Sequence, residues 1–206
     1  KNRRPRRRPR PLPRPVTITL PRLDLKRITF RVLPMRTRFP FKYGIASLTA
    51  LPHLVLQAEV EVDGVLTSGV ASEGLPPKWF TKSTHTTFEQ DLPAMLAVIN
   101  HAAGLALDAT DSDFFELWHQ LFHGQNEWAK ASGHPELLGN LGVSLVERVL
   151  LDALGRRLEK PAHQVIRQNL LGLRLGEVRS ELGDLVPADV LPAEPVTSIV
   201  ARHTIG

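Results

Sequence analysis

From residue 27 to residue 32 apolar and polar side chains alternate, with Ile28, Phe30 and Val32 set against Arg27, Thr29 and Arg31. A period of two is what a strand with one buried face requires. Pro34 lacks an amide donor and is expected to end that strand. Leu54, Leu56, Ala58, Val60 and Val62 repeat the pattern against Val55, Gln57, Glu59 and Glu61. The Asp63-Gly64 pair that follows suits a two-residue hairpin turn, where both central positions need positive φ. Residues 66–71 return as the partner strand. Three antiparallel strands with one wet face need an apolar cover on the other.

Further along, the period becomes that of a helix. Thr86 or Thr87 is placed to cap a helix through Leu92, Met95, Leu96 and Ile99, with Pro93 near its first turn and Gly104 closing it. Asp111 or Ser112 opens a second, through Phe114, Phe115, Leu117, Trp118, Leu121 and Phe122. Ser144 opens a third, in which Leu145, Val146, Val149, Leu150, Ala153 and Leu154 form one stripe and Glu147, Arg148, Asp152 and Arg156 the other. Residues 126–140 read as a long polar loop, and Pro161 leads into a short helix ending near Asn169. The β-branched run at 196–205 reads as one more strand. The elements add up to an α+β fold, a three-stranded antiparallel meander packed against a helical bundle.

With 206 residues, 42% of them hydrophobic, the chain can bury the core of one domain and a little more. It has no cysteine, which excludes disulfides and thiolate chemistry and leaves nitrogen and oxygen ligands. The formal charge of +5 suggests a polyanion partner until it is placed along the chain. Lys1, Arg3, Arg4, Arg6, Arg7, Arg8, Arg10 and Arg14 are eight of the 26 bases, with no acid among them, which leaves 18 bases against 21 acids. Basicity therefore reads as a property of the tail, and nucleic acid is not the expected partner. Pro5, Pro9, Pro11, Pro13 and Pro15 interrupt that tail, so residues 1–24 are expected to be extended and disordered. They read either as a phosphate-binding or targeting arm or as a solvated extension. No apolar run approaches the roughly 20 residues of a membrane span, and the expected location is cytoplasmic.

Two runs of residues carry a resemblance. The first is Phe39-Pro-Phe-Lys-Tyr-Gly44, followed by the 54–62 strand, the Asp63-Gly64 turn and Gly69-Val-Ala-Ser-Glu73-Gly-Leu-Pro-Pro-Lys-Trp79. The second runs from Ser144-Leu-Val-Glu147 through Asp152-Ala-Leu-Gly155 to Lys160-Pro161-Ala-His-Gln-Val-Ile. In this order they resemble the N-terminal capping domain of the enolase superfamily, in its mandelate racemase and muconate lactonizing enzyme branch. The resemblance covers about residues 25–172. Leu151 departs from it, because the family usually has Trp before the Asp of this helix. Residues 173–206 would then be a linker and the first strand of a (β/α)7β barrel.

The resemblance implies an enzyme that abstracts a proton α to a carboxylate with Mg²⁺, by racemisation, dehydration or cycloisomerisation, and that forms a homo-oligomer. It also implies that the bases and metal ligands lie on barrel strands outside this chain, so neither a catalytic residue nor a metal ligand is assigned here. The missing barrel is one expected partner and a carboxylate-bearing small molecule another. The capping domain would supply a lid from residues 36–47 and 74–83. In it Phe39, Phe41, Tyr43, Trp79 and Phe80 would line an apolar wall, and Arg38, Lys42 or Lys78 would meet a carboxylate. A structural reading stands beside each: aromatic rings staple loops to their own sheet, and loop lysines are usually solvated.

Other residues carry candidate chemistry. Glu73 ends a strand beside the lid and is either an acid or a structural partner for a base or backbone amide. Glu116, His119 and His123 share one helical face and could hold a metal, although the same spacing arises on any aromatic-rich helix. His203 has no partner to activate it. The alternative to a lid is a non-enzymatic binding module whose Arg/Pro arm contacts nucleic acid.

Overall fold

The computed structural model describes residues 19–44 and 46–203, without the side chain of Tyr43. Residues 1–18 of the expected 1–24 tail, and 204–205 of the expected last strand, fall outside the described residues; Leu23 and Asp24 are not disordered but open the first strand, where Leu23 is buried.

Three antiparallel strands in the order β1-β2-β3 form one sheet: β1 is Leu23–Tyr43, β2 Ala46–Val62 and β3 Val65–Gly74. The β2–β3 turn is of the expected kind, with Asp63 at φ 49° and Gly64 at φ 76°. Asp63 Oδ1 also accepts a bond of 2.9 Å from the Arg22 amide. Pro34 does not end the first strand. It stands opposite Pro52 in register, so the two missing amides fall on one rung and the ladder continues on either side. Residues 36–47, expected as a loop, are therefore the outer end of a β1–β2 ribbon that runs past the last rung of β3 at His53–Gly74.

On one face lie three long helices: α2 (Phe88–Asp108), α3 (Phe114–Ala131) and α4 (Glu136–Leu158), after a short α1 (Pro77–Phe80). Thr87 caps α2 in a reciprocal capping box with Gln90, and Asp113 does the same for α3 with Glu116, one residue beyond the expected cap. Gly104 does not close α2, which continues four residues further to Asp108. The polar stretch 126–140 is mostly helical. Gly139 within it and Gly142 just beyond it look like breakers in sequence, but they serve packing: a Cβ on Gly142 would lie 2.2 Å from the Val98 carbonyl oxygen. Consequently α4 begins at Glu136, and Ser144 lies inside it. Gly69 plays the same part on β3, where a Cβ would lie 2.2 Å from the Val149 carbonyl oxygen.

The core joins Leu54, Leu56, Ala58, Val60 and Val62 of β2 to Met95, Val98, Ile99 and Ala102 of α2 and to Leu145, Val146, Val149, Leu150, Ala153 and Leu154 of α4, all within 1% of full burial. Gln125, fully buried, ties the helices together by donating to Val98 O (2.9 Å) and Gly139 O (3.1 Å). Its Oε1 then faces His101 Nδ1 at 2.7 Å, which makes that nitrogen the donor.

Three short helices follow, α5 (Ala162–Arg167), α6 (Leu175–Val178) and α7 (Pro187–Val190). The expected strand at 196–205 is not formed over its described residues, 196–203. Val196, Ile199 and Val200 are 71%, 85% and 96% exposed, and without a neighbouring strand to take its amides a β-branched run has no ladder to join.

Candidate functional site

The helical layer covers the sheet unevenly, and the candidate site lies where the cover stops. α4 packs along β3 and β2, and its side chains close the outer edge of β3: Asp152 Oδ2 accepts from the Val70 amide (2.8 Å) and Arg148 Nη1 donates to Ser72 O (3.2 Å). The outer edge of β1 has no such closure. Apart from a bridge between Leu23 and Ser112, no described strand pairs with it. Directly paired residues put their side chains on one face. Phe30 is paired with Leu56 and Val32 with Leu54, yet Leu56 and Leu54 are buried while Phe30 is 37% and Val32 54% exposed. The core-facing side of β1 is thus bare beyond Ile28.

The bare face continues into the ribbon. Between Arg36–Ala50 and Phe41–Leu48 four residues of β1 stand against one of β2, a bulge containing Pro40 that re-aims the strand. Phe39, inside the bulge, is 71% exposed with the Arg38 guanidinium 5.4 Å from its ring centre, and Phe41 is 47% exposed. Thr37 Oγ1 donates to Leu48 O (3.1 Å) across the bulge. Arg36, Arg38 and Lys42 are all exposed, and residues 34–47 include no acid. Tyr43 shares the ribbon by its backbone.

Residues 74–83 behave differently. Trp79 is 59% exposed, whereas Phe80 is packed against the core. Lys78 turns inward: its Nζ donates to Asp91 Oδ2 (2.6 Å), Ser83 O (2.9 Å) and Thr86 Oγ1 (2.9 Å), and its side chain is only 12% exposed. It therefore pins α1 to the start of α2 and offers no free charge to a ligand. Glu73 is a structural partner, bonded to Arg148 Nη2 (3.2 Å) and its own neighbouring amide, Gly74 (3.1 Å).

Two features of the site are not evident from the sequence pattern. The first is Phe30 and Val32, whose alternation reads as core while their exposure makes them part of the open face. The second is charge. β1 carries Lys26, Arg27, Arg31, Arg36, Arg38 and Lys42 against Asp24 alone, so basicity does not stop with the tail. Residues 1–44 hold 15 of the 26 bases and one of the 21 acids, a formal +14, against −9 for residues 45–206. Lys26 is paired with Asp24 and Glu61, and Arg27 with Glu59 at 3.8 Å.

The suggested three-residue metal face does not assemble, because Glu116 is withdrawn from it. Glu116 Oε2 is taken by Arg22 Nη1 (3.1 Å) and the Asp113 amide (3.0 Å), and that amide, followed by the Arg22 charge, holds its carboxyl below the usual range. Among the described residues no three His, Asp or Glu side chains are grouped to hold an ion. His203 is exposed in irregular chain. No helix among the described residues is long and apolar enough to cross a membrane.

No protein-family model matches the chain, and no curated protein matches it in sequence. Solved structures overlap it in part. An enolase from Bradyrhizobium complexed with magnesium and mandelic acid is 14% identical at a TM-score of 0.46, covering 70% of this chain and 34% of that one. A mandelate racemase/muconate lactonizing enzyme-like protein from Rubrobacter xylanophilus is 17% identical at 0.47, covering 70% and 33%. L-talarate/galactarate dehydratase from Salmonella typhimurium LT2 is 15% identical at 0.44, covering 72% and 33%. These are mandelate racemase/muconate lactonizing enzyme-like members of the enolase superfamily, and the chain spans about a third of their length.

Proposed function

We propose that residues 25–172 are the capping domain of a mandelate racemase/muconate lactonizing enzyme-like protein, whose complete form catalyses Mg²⁺-dependent proton abstraction α to a carboxylate. Residues 173–206 lead into its barrel. The observation that carries this reading is the half-covered sheet. Phe30 and Val32 occupy core-facing positions yet are 37% and 54% exposed, and in the ribbon beyond them Phe39 is 71% and Phe41 47% exposed. Apolar side chains placed this way call for a second body of protein against β1. The motifs at 39–79 and 144–166 occur in the order expected of that domain.

The chain's own part in the chemistry follows from what the ribbon offers. The described residues do not fit Mg²⁺, since no set of carboxylates converges, so no step of metal chemistry is assigned to them. The ribbon would cover the reaction site, exclude water with Phe39, Phe41 and Trp79, and present the charges of Arg36, Arg38 and Lys42 to the far end of an anionic substrate. Lys78 and Phe80 would hold the second lid segment, residues 74–83, against the start of α2 and the core.

The test joins this chain to the residues encoded after Gly206 and follows Mg²⁺-dependent exchange of the α-proton of carboxylic acids in D₂O. Exchange that weakens when Arg38 or Phe41 is replaced by Ala supports the lid. A downstream frame without lysine and carboxylate strand ends, or the absence of any exchange, overturns it. The charge of +14 over residues 1–44 favours a second reading, a polyanion-binding module. Salt-sensitive binding of single-stranded nucleic acid by the chain would support that reading instead.

A further inference from the structure

The imidazoles of His119 and His123 converge on α3, one turn apart, with their Nε2 atoms 3.0 Å from each other and their ring planes at 62°. Their neighbours hold them in this arrangement. His119 rests against Phe115 (centroids 5.9 Å apart), and His123 stands edge-on to Phe122 (5.4 Å). Two nitrogens bound to one ion at about 2.1 Å and at right angles lie about 3.0 Å apart. The pair is therefore already spaced for two adjacent positions of a square-planar or octahedral ion, the geometry of Cu²⁺ and Ni²⁺. Glu116 cannot complete the set, because Arg22 and the Asp113 amide hold its carboxylate.

We infer that His119 and His123 form a bidentate site for a borderline transition-metal ion, Cu²⁺ before Ni²⁺ or Zn²⁺, with its remaining positions open to water or an added ligand. Binding replaces the hydrogen bond between the two Nε2 atoms, and it requires both rings neutral with their protons on Nδ1. A helix fixes the spacing of the two ligands better than a loop would, so little ordering is left to be done on binding. The site is separate from the lid, since α3 packs chiefly on α2 and α4.

Titration of the full chain with Cu²⁺ by calorimetry, together with electron paramagnetic resonance, tests the inference. One ion is expected to bind with the hyperfine pattern of two imidazole nitrogens. His119→Asn or His123→Asn should each weaken it on the order of tenfold or more, while His85→Asn leaves it unchanged. Circular dichroism establishes that each variant is folded. A measurement on the unsubstituted chain needs no variant: Zn²⁺ should move the ring proton resonances of His119 and His123 together and before those of the other six histidines. Affinity unchanged from the parent in either variant, or first movement at other histidines, overturns the site.

Discussion

Replacing Gly142 by Ala should destabilise the chain although it improves a helix, and the structure supplies the magnitude. A Cβ at Gly142 would sit 2.2 Å from the Val98 carbonyl oxygen and 2.9 Å from the Ala102 Cβ. Ordinary carbon–oxygen contact begins at about 3.3 Å, so α2 and α4 must part by about 1 Å. That oxygen also accepts the 2.9 Å bond from Gln125, whose second donor is committed to Gly139 O. Overpacking of a close-packed interior costs about 1–3 kcal/mol, and losing the Gln125 bond adds about 1 kcal/mol. The gain in helix propensity returns about 1 kcal/mol. The expected net loss is about 1–3 kcal/mol. With a urea dependence of about 2 kcal/mol per molar, the unfolding midpoint should fall by about 0.5–1.5 M at unchanged slope. Gly104→Ala, on α2, is the control, because a Cβ there meets nothing within 4 Å, and it should raise stability by up to about 1 kcal/mol. If Gly142→Ala unfolds at the parent midpoint or above it, the close crossing of α2 and α4 is wrong.

Three other perturbations have expected outcomes. Asp91→Ala leaves the Lys78 ammonium buried without its counter-ion and should cost about 3 kcal/mol in urea unfolding, partly recovered in the Lys78→Met, Asp91→Leu double variant; a loss below about 1 kcal/mol would contradict the inward placement of Lys78. Burial pushes the Glu147 carboxyl above its ordinary 4.5, against a smaller opposing effect of its hydrogen bond with Trp118. The stability linked to its proton is therefore complete below pH 4.5 and is lost as pH rises through the folded value, so Glu147→Gln should raise the melting temperature at pH 7 and leave it unchanged near pH 4. Glu116 has the opposite sign: its depressed pKa gives stability above pH 4.5 that is lost as pH falls, so Glu116→Gln should lower the melting temperature at pH 7 and converge on the parent in acid.

The parts of the fold that depend on local chemistry were legible in the sequence. Alternation placed β2, the Asp63-Gly64 pair placed its turn, and Thr87 and the neighbourhood of Asp113 placed two helix starts, because each is decided by residues within a few positions. What failed depends on distant partners. Gly139 and Gly142 look like helix breakers until Ala129 of α3 lies against the first and Val98 of α2 against the second, and Pro34 looks like a strand end until Pro52 lies opposite. In the same way Lys78 reads as a free loop charge until Asp91 reaches it from the next helix, and no local pattern announces that partner. Residues 36–47 read in sequence as a loop, whereas they continue the β1–β2 ladder, because the pairing of residues 41–43 with 46–48 beyond the Pro40 bulge has no local signature.

The open side of β1 poses two separate problems, and the chain solves one of them. A long unpaired edge invites a second copy to pair with it. Arg27, Arg31, Arg36, Arg38 and Lys42 oppose that, since two β1 strands joined edge to edge would bring like charges together. The apolar face bearing Phe30 and Val32 has no comparable protection, so contact between copies should occur face to face. Screening distinguishes the two modes. Salt weakens the arginine repulsion while leaving apolar burial in place, so sedimentation velocity should show association that increases from 50 mM to 500 mM salt. Phe30→Ser with Val32→Thr should suppress it, at a cost to stability of about 1–2 kcal/mol that comes mainly from Phe30, which is only 37% exposed. Association that falls with salt would point to charge pairing between residues 1–44, at +14, and residues 45–206, at −9, and the bare face would then not be the surface that a covering body of protein occupies.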